Sequence, residues 1–183
     1  MIKAVFSDRD GVINSDRPDY VKNVSELNIY PFFPSAVKDF NGLGFSVFVI
    51  SNQQGVGKGI YTMEDVRGIE AEIRKAAESA GGVITDFRYC THLESEKCAC
   101  RKPRAGMILD LAAKYDIDLT KSFVIGDSVR DVGAAAEAGV RSILVLSGSA
   151  SAETAEKMDP KPDFVARDIA DAVSLVKIAA KDA

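Results

Sequence analysis

Asp8 and Asp10 flank Arg9 in the run Asp8-Arg9-Asp10-Gly11, directly behind the apolar stretch that opens the chain. Carboxylates two residues apart on an extended chain lie on the same side of it, and Gly11 lets the backbone turn sharply beside them. The same kind of residue recurs behind later apolar stretches: Ser51 and Asn52, then Arg101 and Lys102, then Gly126, Asp127 and Asp131. Clustered carboxylates repel one another and need a cation to coexist; a small, all-oxygen set suits Mg2+. A phosphate bound to such a cation still carries charge. Lys102 can neutralise it, and Ser51 can donate a hydrogen bond to a phosphoryl oxygen. A carboxylate can then attack phosphorus in line, while a second carboxyl protonates the departing alkoxide and later activates water. Singly, Asp-x-Asp-Gly, Ser-Asn, Lys-Pro and Gly-Asp-Ser are ordinary turn sequences. Their joint occurrence, in order and each behind an expected strand, carries the reading of a phosphatase.

A second constellation is more compact. All three cysteines and the one histidine lie in a single run as Cys90, His92, Cys98 and Cys100. Three thiolates and an imidazole make a tetrahedral Zn2+ set, and a closed set of four is structural. The odd cysteine count argues against a disulfide framework. The polar composition of the run offers no core in which free cysteines would be buried. This zinc loop, residues 90–100, leads straight into Arg101 and Lys102. The metal is therefore expected to fix both cations, and the loop to form one wall of the substrate pocket.

These residues need elements to bring them together. Apolar runs rich in β-branched and aromatic residues predict strands over 2–7, 45–50, 87–90, 123–125 and 143–146, with a short edge strand at 164–165. Their near-continuous apolarity fits strands buried on both faces of a parallel sheet. Helical patterns lie between them over 34–43, 62–80, 105–115, 129–138 and 167–180. The first begins with Pro34 and ends near glycine; the second opens with Thr62 as a cap and acidic first-turn residues. Residues 147–163 read as a surface connection with room for one helical turn. The alternation predicts a doubly wound, mainly parallel α/β sheet. Ligands of such sheets bind beyond the carboxyl ends of the strands, where every residue named in the opening paragraph stands. Neither long connection has room for a lid domain, so a single domain over 1–183 is expected.

The chain has 183 residues and a net charge of −4. That balance, with no basic stripe, disfavours a nucleic-acid partner. No apolar run approaches the roughly 20 residues of a membrane span, and the N-terminus lacks the pattern of a signal peptide. A cytoplasmic protein with reduced thiols is expected.

The runs Asp8-Arg9-Asp10-Gly11-Val12-Ile13-Asn14, Ser51-Asn52-Gln53, Cys100-Arg101-Lys102-Pro103 and Gly126-Asp127-Ser128-Val129-Arg130-Asp131 resemble the four motifs of the haloacid dehalogenase superfamily of phosphotransferases. The resemblance covers the chain from Asp8 to about Leu146. It implies a Rossmann-like, capless fold, Asp8 as nucleophile and Asp10 as general acid/base. It implies Mg2+ held by Asp8, the Asp10 backbone carbonyl and Asp127, with Asp131 orienting the metal's waters. Ser51 and Lys102 would bind the transferring phosphoryl group, with Asn52 beside them. Capless members with a paired C-x-H and C-x-C insertion resemble two groups, the heptose 1,7-bisphosphate 7-phosphatases and the histidinol-phosphate phosphatases. The stretches 19–21, 52–59 and 101–107 look closer to the heptose group, in which Arg101 would meet the second phosphate or the sugar. Two features depart from it: only five residues separate His92 from Cys98, and Ser128 stands where lysine is frequent, leaving Lys58 or Arg130 to compensate. The expected partner is a small phosphorylated substrate, a sugar bisphosphate of carbohydrate metabolism, acted on by a monomer. A phosphate-sensing module without turnover has no use for the full carboxylate set. A dehalogenase needs no metal and would leave Asp10 and Asp127 without a role.

Overall fold

The computed structural model describes residues 1–180. Six strands form one parallel sheet: β1 (Lys3–Ser7), β2 (Phe45–Asn52), β3 (Ile84–Cys90), β4 (Phe123–Gly126), β5 (Arg141–Val145) and β6 (Phe164–Ala166). Their order is β3-β2-β1-β4-β5-β6. The sheet grows one way from β1 through β2 and the other way through β4, so the topological switch point lies between β1 and β4. Val5 is in register with Val47 on one side and Phe123 on the other.

The described residues also form seven α-helices: α1 (Phe33–Gly42), α2 (Gln54–Gly57), α3 (Met63–Ser79), α4 (Gly106–Tyr115), α5 (Val129–Ala138), α6 (Ala152–Lys157) and α7 (Ile169–Ala179). Alternate strand residues face opposite layers. Val5, Val47, Val49 and Ile125 pack with Phe33, Val37 and Phe40 of α1, Ile69 and Ile73 of α3, and Ile169 and Val176 of α7. Ala4, Phe6, Phe48 and Ile50 pack instead with Met107, Ile108 and Leu111 of α4 and Ala134 and Ala135 of α5. Apolar burial on both faces is what made the strands near-continuously hydrophobic in sequence.

The expected elements are present within one to three residues at their ends. Thr62 caps α3 as expected, its hydroxyl accepting from the Asp65 N–H while the Asp65 carboxylate accepts from the Thr62 N–H. Two differences have physical causes. β3 starts three residues early because it is an edge strand, paired only with β2, whose Thr85, Asp86 and Arg88 are only half buried. The one-turn helix α2 contains two glycines and carries no helical signal of its own. Within the connection after β5, Ser151 and Thr154 cap α6, which occupies six residues. Among the described residues, no helix is long and apolar enough to cross a membrane.

Candidate active site at the carboxyl edge of the sheet

The ends of β1 and β4 lie side by side, and the Asp8 N–H donates to the Ile125 carbonyl at 2.8 Å. Asp8 and Asp127 therefore face each other across the switch point. Gly11 turns the chain at φ +81°, the left-handed region. A side chain at Gly11 or at Gly148 would collide with the Asp127 carboxylate. The loop after β5 closes this corner: the Ser149 N–H donates to Asp127 Oδ2 at 2.7 Å, and the Ser147 hydroxyl donates to the Gly11 carbonyl at 2.8 Å.

Lys102 is 3 % exposed. Its ammonium lies 2.9 Å from Asp8 Oδ1 and 2.6 Å from Asp131 Oδ1, and donates to the Ile50 carbonyl at 3.0 Å. Burial works against that charge, but Asp131 and Asp8 outweigh it and hold the Lys102 pKa up at about 12. Asp131 is the third residue of α5; its other oxygen accepts from the Ser128 N–H and hydroxyl at 3.2 and 2.6 Å. Gly126 leaves the room that Asp131 fills.

Carboxylate oxygens of Asp8, Asp127 and Asp131 lie within 4.8 Å of one another. Burial, then the charge of Asp131, pushes Asp8 up to about 8, with Lys102 pulling the other way and Asp127 adding to the rise. Burial likewise raises Asp127 against the Ser149 N–H that opposes it. Three carboxylates and one ammonium in so small a volume leave an excess of negative charge. That excess, and the all-oxygen donor set, fit a hard divalent cation between Asp8 and Asp127.

The Asp10 carboxylate is held from several sides. Arg9, 1 % exposed, grips it through Nε and Nη2 at 3.2 and 2.8 Å on Oδ1. Asn14 Nδ2 donates to Oδ1 at 3.0 Å, and Gln53 Nε2 donates to Oδ2 at 3.1 Å. Gln53 Nε2 also donates to Ser51 Oγ at 2.9 Å, while Gln53 Oε1 accepts from the Tyr61 hydroxyl at 2.6 Å.

At the end of β3, Cys90, His92, Cys98 and Cys100 converge. The Cys90–Cys98 and Cys98–Cys100 sulfur pairs are 3.6 and 3.5 Å apart, and His92 Nδ1 lies 3.6 and 3.3 Å from the sulfurs of Cys90 and Cys100. A zinc tetrahedron has edges of roughly 3.8 Å between sulfurs and roughly 3.6 Å between sulfur and nitrogen, from its bond lengths. The four donors match that size, and the sulfurs are too far apart for disulfides. The Asn52 side chain joins this loop to β2: its Oδ1 accepts from the Lys102 N–H at 3.0 Å, and its Nδ2 donates to the Lys102 carbonyl at 3.1 Å. Asn52 thus clamps the Lys102 backbone while also lining the cleft.

That cleft, about 260 Å³, is lined by Asp8, Asp10, Ser51, Asn52, Arg101, Lys102 and Asp127. The structure therefore brings the expected substrate and carboxylate residues to one opening, with Asp131 directly beneath. The zinc-type cluster forms a separate centre on the flank: contrary to expectation, none of residues 90–100 lines the cleft, and the loop reaches it only through Arg101 and Lys102, which follow it in the chain. Arg17, Tyr20, Arg130 and Ser149 also line the cleft. Asn14 and Gln53 stand inside the first two motif runs of the sequence but had no role of their own there, and Tyr61 and Ser149 were not singled out. Ser149 had a signal of another kind, its place just beyond the carboxyl end of β5.

Residues 99–172 match the model of a family described as HAD-hyrolase-like. The D-glycero-beta-D-manno-heptose-1,7-bisphosphate 7-phosphatase of Rhodopseudomonas palustris is 42% identical over 144 residues, 75% of this chain and 79% of that protein. The protein of the same name from Bordetella bronchiseptica is 34% identical over 92% of this chain and 94% of its own length. Among solved structures, D,D-heptose 1,7-bisphosphate phosphatase from B. bronchiseptica, complexed with magnesium and phosphate, superposes with a TM-score of 0.87 at 32% identity, covering 98% of this chain and all of that one (100%).

Proposed function

The chain belongs to the heptose-1,7-bisphosphate 7-phosphatase family of haloacid-dehalogenase-like hydrolases, and from that premise we propose a Mg2+-dependent phosphoric monoester hydrolase that removes the 7-phosphate of D-glycero-D-manno-heptose 1,7-bisphosphate. The observation that carries the chemistry is the convergence of Asp8, Asp127 and Asp131 within 4.8 Å, with the buried Lys102 ammonium against Asp8 and Asp131. The substrate rests on the names of the relatives, which favour the heptose group over the histidinol-phosphate group.

In this reading Asp8 attacks phosphorus in line, and the bond from phosphorus to the sugar oxygen breaks. Asp10 supplies the proton that the departing alkoxide takes. Asp10, now ionised, accepts a proton from water, which attacks phosphorus and frees Asp8 and inorganic phosphate. Lys102 and Ser51 bear the phosphoryl oxygens throughout. Asp8, Asp127 and the Asp10 carbonyl would hold Mg2+, which supplies positive charge against the phosphoryl group and keeps Asp8 ionised. Arg101, whose Nη1 is buried without a partner, faces the same cleft and is assigned to the second phosphate. Zn2+ is assigned to Cys90, His92, Cys98 and Cys100 as a structural ion.

The test is a comparison of kcat/KM on heptose bisphosphate and histidinol phosphate with Mg2+ present, for the native chain and Asp8→Asn. The native protein should prefer the heptose, and the variant should lose turnover by about a thousandfold or more. Preference for histidinol phosphate overturns the substrate, and full turnover by the variant overturns the mechanism.

A further inference from the structure

We infer that Gln53 is a positioning residue which, locked by Tyr61, orients both Asp10 and Ser51; the inference rests on the phosphoaspartate reading above. The three side chains are interior: Gln53 and Ser51 are each 1 % exposed and Tyr61 is 4 % exposed. Gln53 is absent from the lining of the cleft, whereas Asp10 and Ser51 belong to it. Gln53 therefore acts through its neighbours.

The direction of each hydrogen bond follows from what each group can offer. A carboxamide has one acceptor end and one donor end. Tyr61 donates its proton to Gln53 Oε1 at 2.6 Å, which fixes the acceptor end away from the cleft. The donor end must then face the site, and its Nε2 reaches Ser51 Oγ at 2.9 Å and Asp10 Oδ2 at 3.1 Å. Ser51 has one proton. Since its oxygen already accepts from Gln53, that proton stays free for an acceptor in the cleft, the phosphoryl oxygen. The same amide holds Asp10 Oδ2, an oxygen it shares with Arg9 Nη2 at 2.9 Å, while Arg9 and Asn14 hold Oδ1. One interior residue thus sets the donor polarity of the phosphate site and the aim of the acid/base.

The backbone is shaped to bring Tyr61 over Gln53. The turn through α2 is closed by the Ile60 N–H on the Gly55 carbonyl at 2.9 Å. A Cβ at Gly55 would run into the ring atoms of Tyr61, so glycine there lets the ring seat. The ring consequently has little freedom to release Gln53.

Two variants and three readouts test this. Gln53→Glu keeps an acceptor for Tyr61 but removes both donors; Tyr61→Phe keeps the ring and removes the orienting proton. Glycerol 3-phosphate has an alkoxide leaving group that needs a proton, whereas 4-nitrophenyl phosphate does not, so their ratio reads the aim of Asp10. Competitive inhibition by inorganic phosphate reads Ser51. Gln53→Glu should lower kcat/KM on glycerol 3-phosphate by about a hundredfold, and on 4-nitrophenyl phosphate and in phosphate affinity by about tenfold. Tyr61→Phe should lower kcat/KM on glycerol 3-phosphate by about tenfold, and on 4-nitrophenyl phosphate and in phosphate affinity by about threefold. Equal losses on the two substrates, or unchanged phosphate inhibition, in variants that keep the native melting temperature would overturn the role. If Gln53→Glu does not fold, Tyr61→Phe decides alone by the same comparison. Asp8→Asn is run alongside. Turnover surviving there defeats the phosphoaspartate reading, while abolished turnover with an unchanged substrate ratio defeats only the role of Gln53.

Discussion

Asp8 carries the sharpest conflict between environment and task. Burial and the neighbouring carboxylates push it up to about 8, which keeps it largely protonated at neutral pH until a cation joins it. An acid whose folded value is raised lends stability that is complete below its unfolded value, near 4. That stability is lost as pH rises through the folded value. Without divalent metal, the melting temperature should therefore fall between pH 4 and about 8, and Asp127, raised for the same reason, acts in the same direction. Saturating Mg2+ should flatten the fall, and Asp8→Asn should shrink it. Melting curves in chelator and in Mg2+ at pH 5 and pH 8 check this; a metal-free protein that gains stability over the window contradicts it. Residues at this scale were legible in the sequence in proportion to their local context. Asp8, Ser51, Lys102 and Asp127 each stand behind an apolar run or a cysteine pair. Gln53 reaches Asp10 across 43 residues and Ser149 reaches Asp127 across 22, and nothing local marks such pairings.

At the scale of elements, the loop beyond β3 and the end of β2 act as one unit. Asn52 holds both the N–H and the carbonyl of Lys102, two residues beyond Cys100. Release of zinc by chelation, or Cys98→Ser, should therefore reach Lys102. A displacement of about 1 Å there should lower kcat/KM by about a hundredfold. Hydrogen exchange should quicken over residues 90–102 while the strands of the sheet stay protected. Metal analysis gives the stoichiometry, and full activity at zero zinc would contradict the coupling. The strands and long helices were legible because their apolar periodicity is imposed by two buried sheet faces. The early start of β3 was not, because an edge strand carries polar residues on its open side; Asp86 there meets Lys114 and Tyr115 of α4 at 2.9 Å. The turn of α2 escaped because two of its four residues are glycine and no side chain caps its start.

For the whole molecule, the strand order decides where the chemistry can be. Only between β1 and β4 does the sheet reverse its direction of growth, and the side chains that meet there come from four separate parts of the chain. The order itself was legible only as a class, since an alternation of strands and helices is compatible with several orders. A site assembled from the ends of the sheet couples ligand binding to global unfolding. Inorganic phosphate with Mg2+, at a hundred times its dissociation constant, should add about 2.7 kcal/mol of stability. That corresponds to a rise of roughly 5–10 °C in melting temperature for a chain of this size. Absence of any rise in the presence of both would contradict binding at this cleft. The cysteine loop on the flank of the cleft has a different kind of consequence. Cys90 and Cys100 and the Asn52 clamp pin both of its ends, and residues 94–97 between them are exposed. Insertions and deletions in that span leave the pinned ends, and hence Lys102, where they are. The span can thus lengthen or shorten while the hydrolytic machinery is kept unaltered, as a tool keeps its handle when the blade is exchanged.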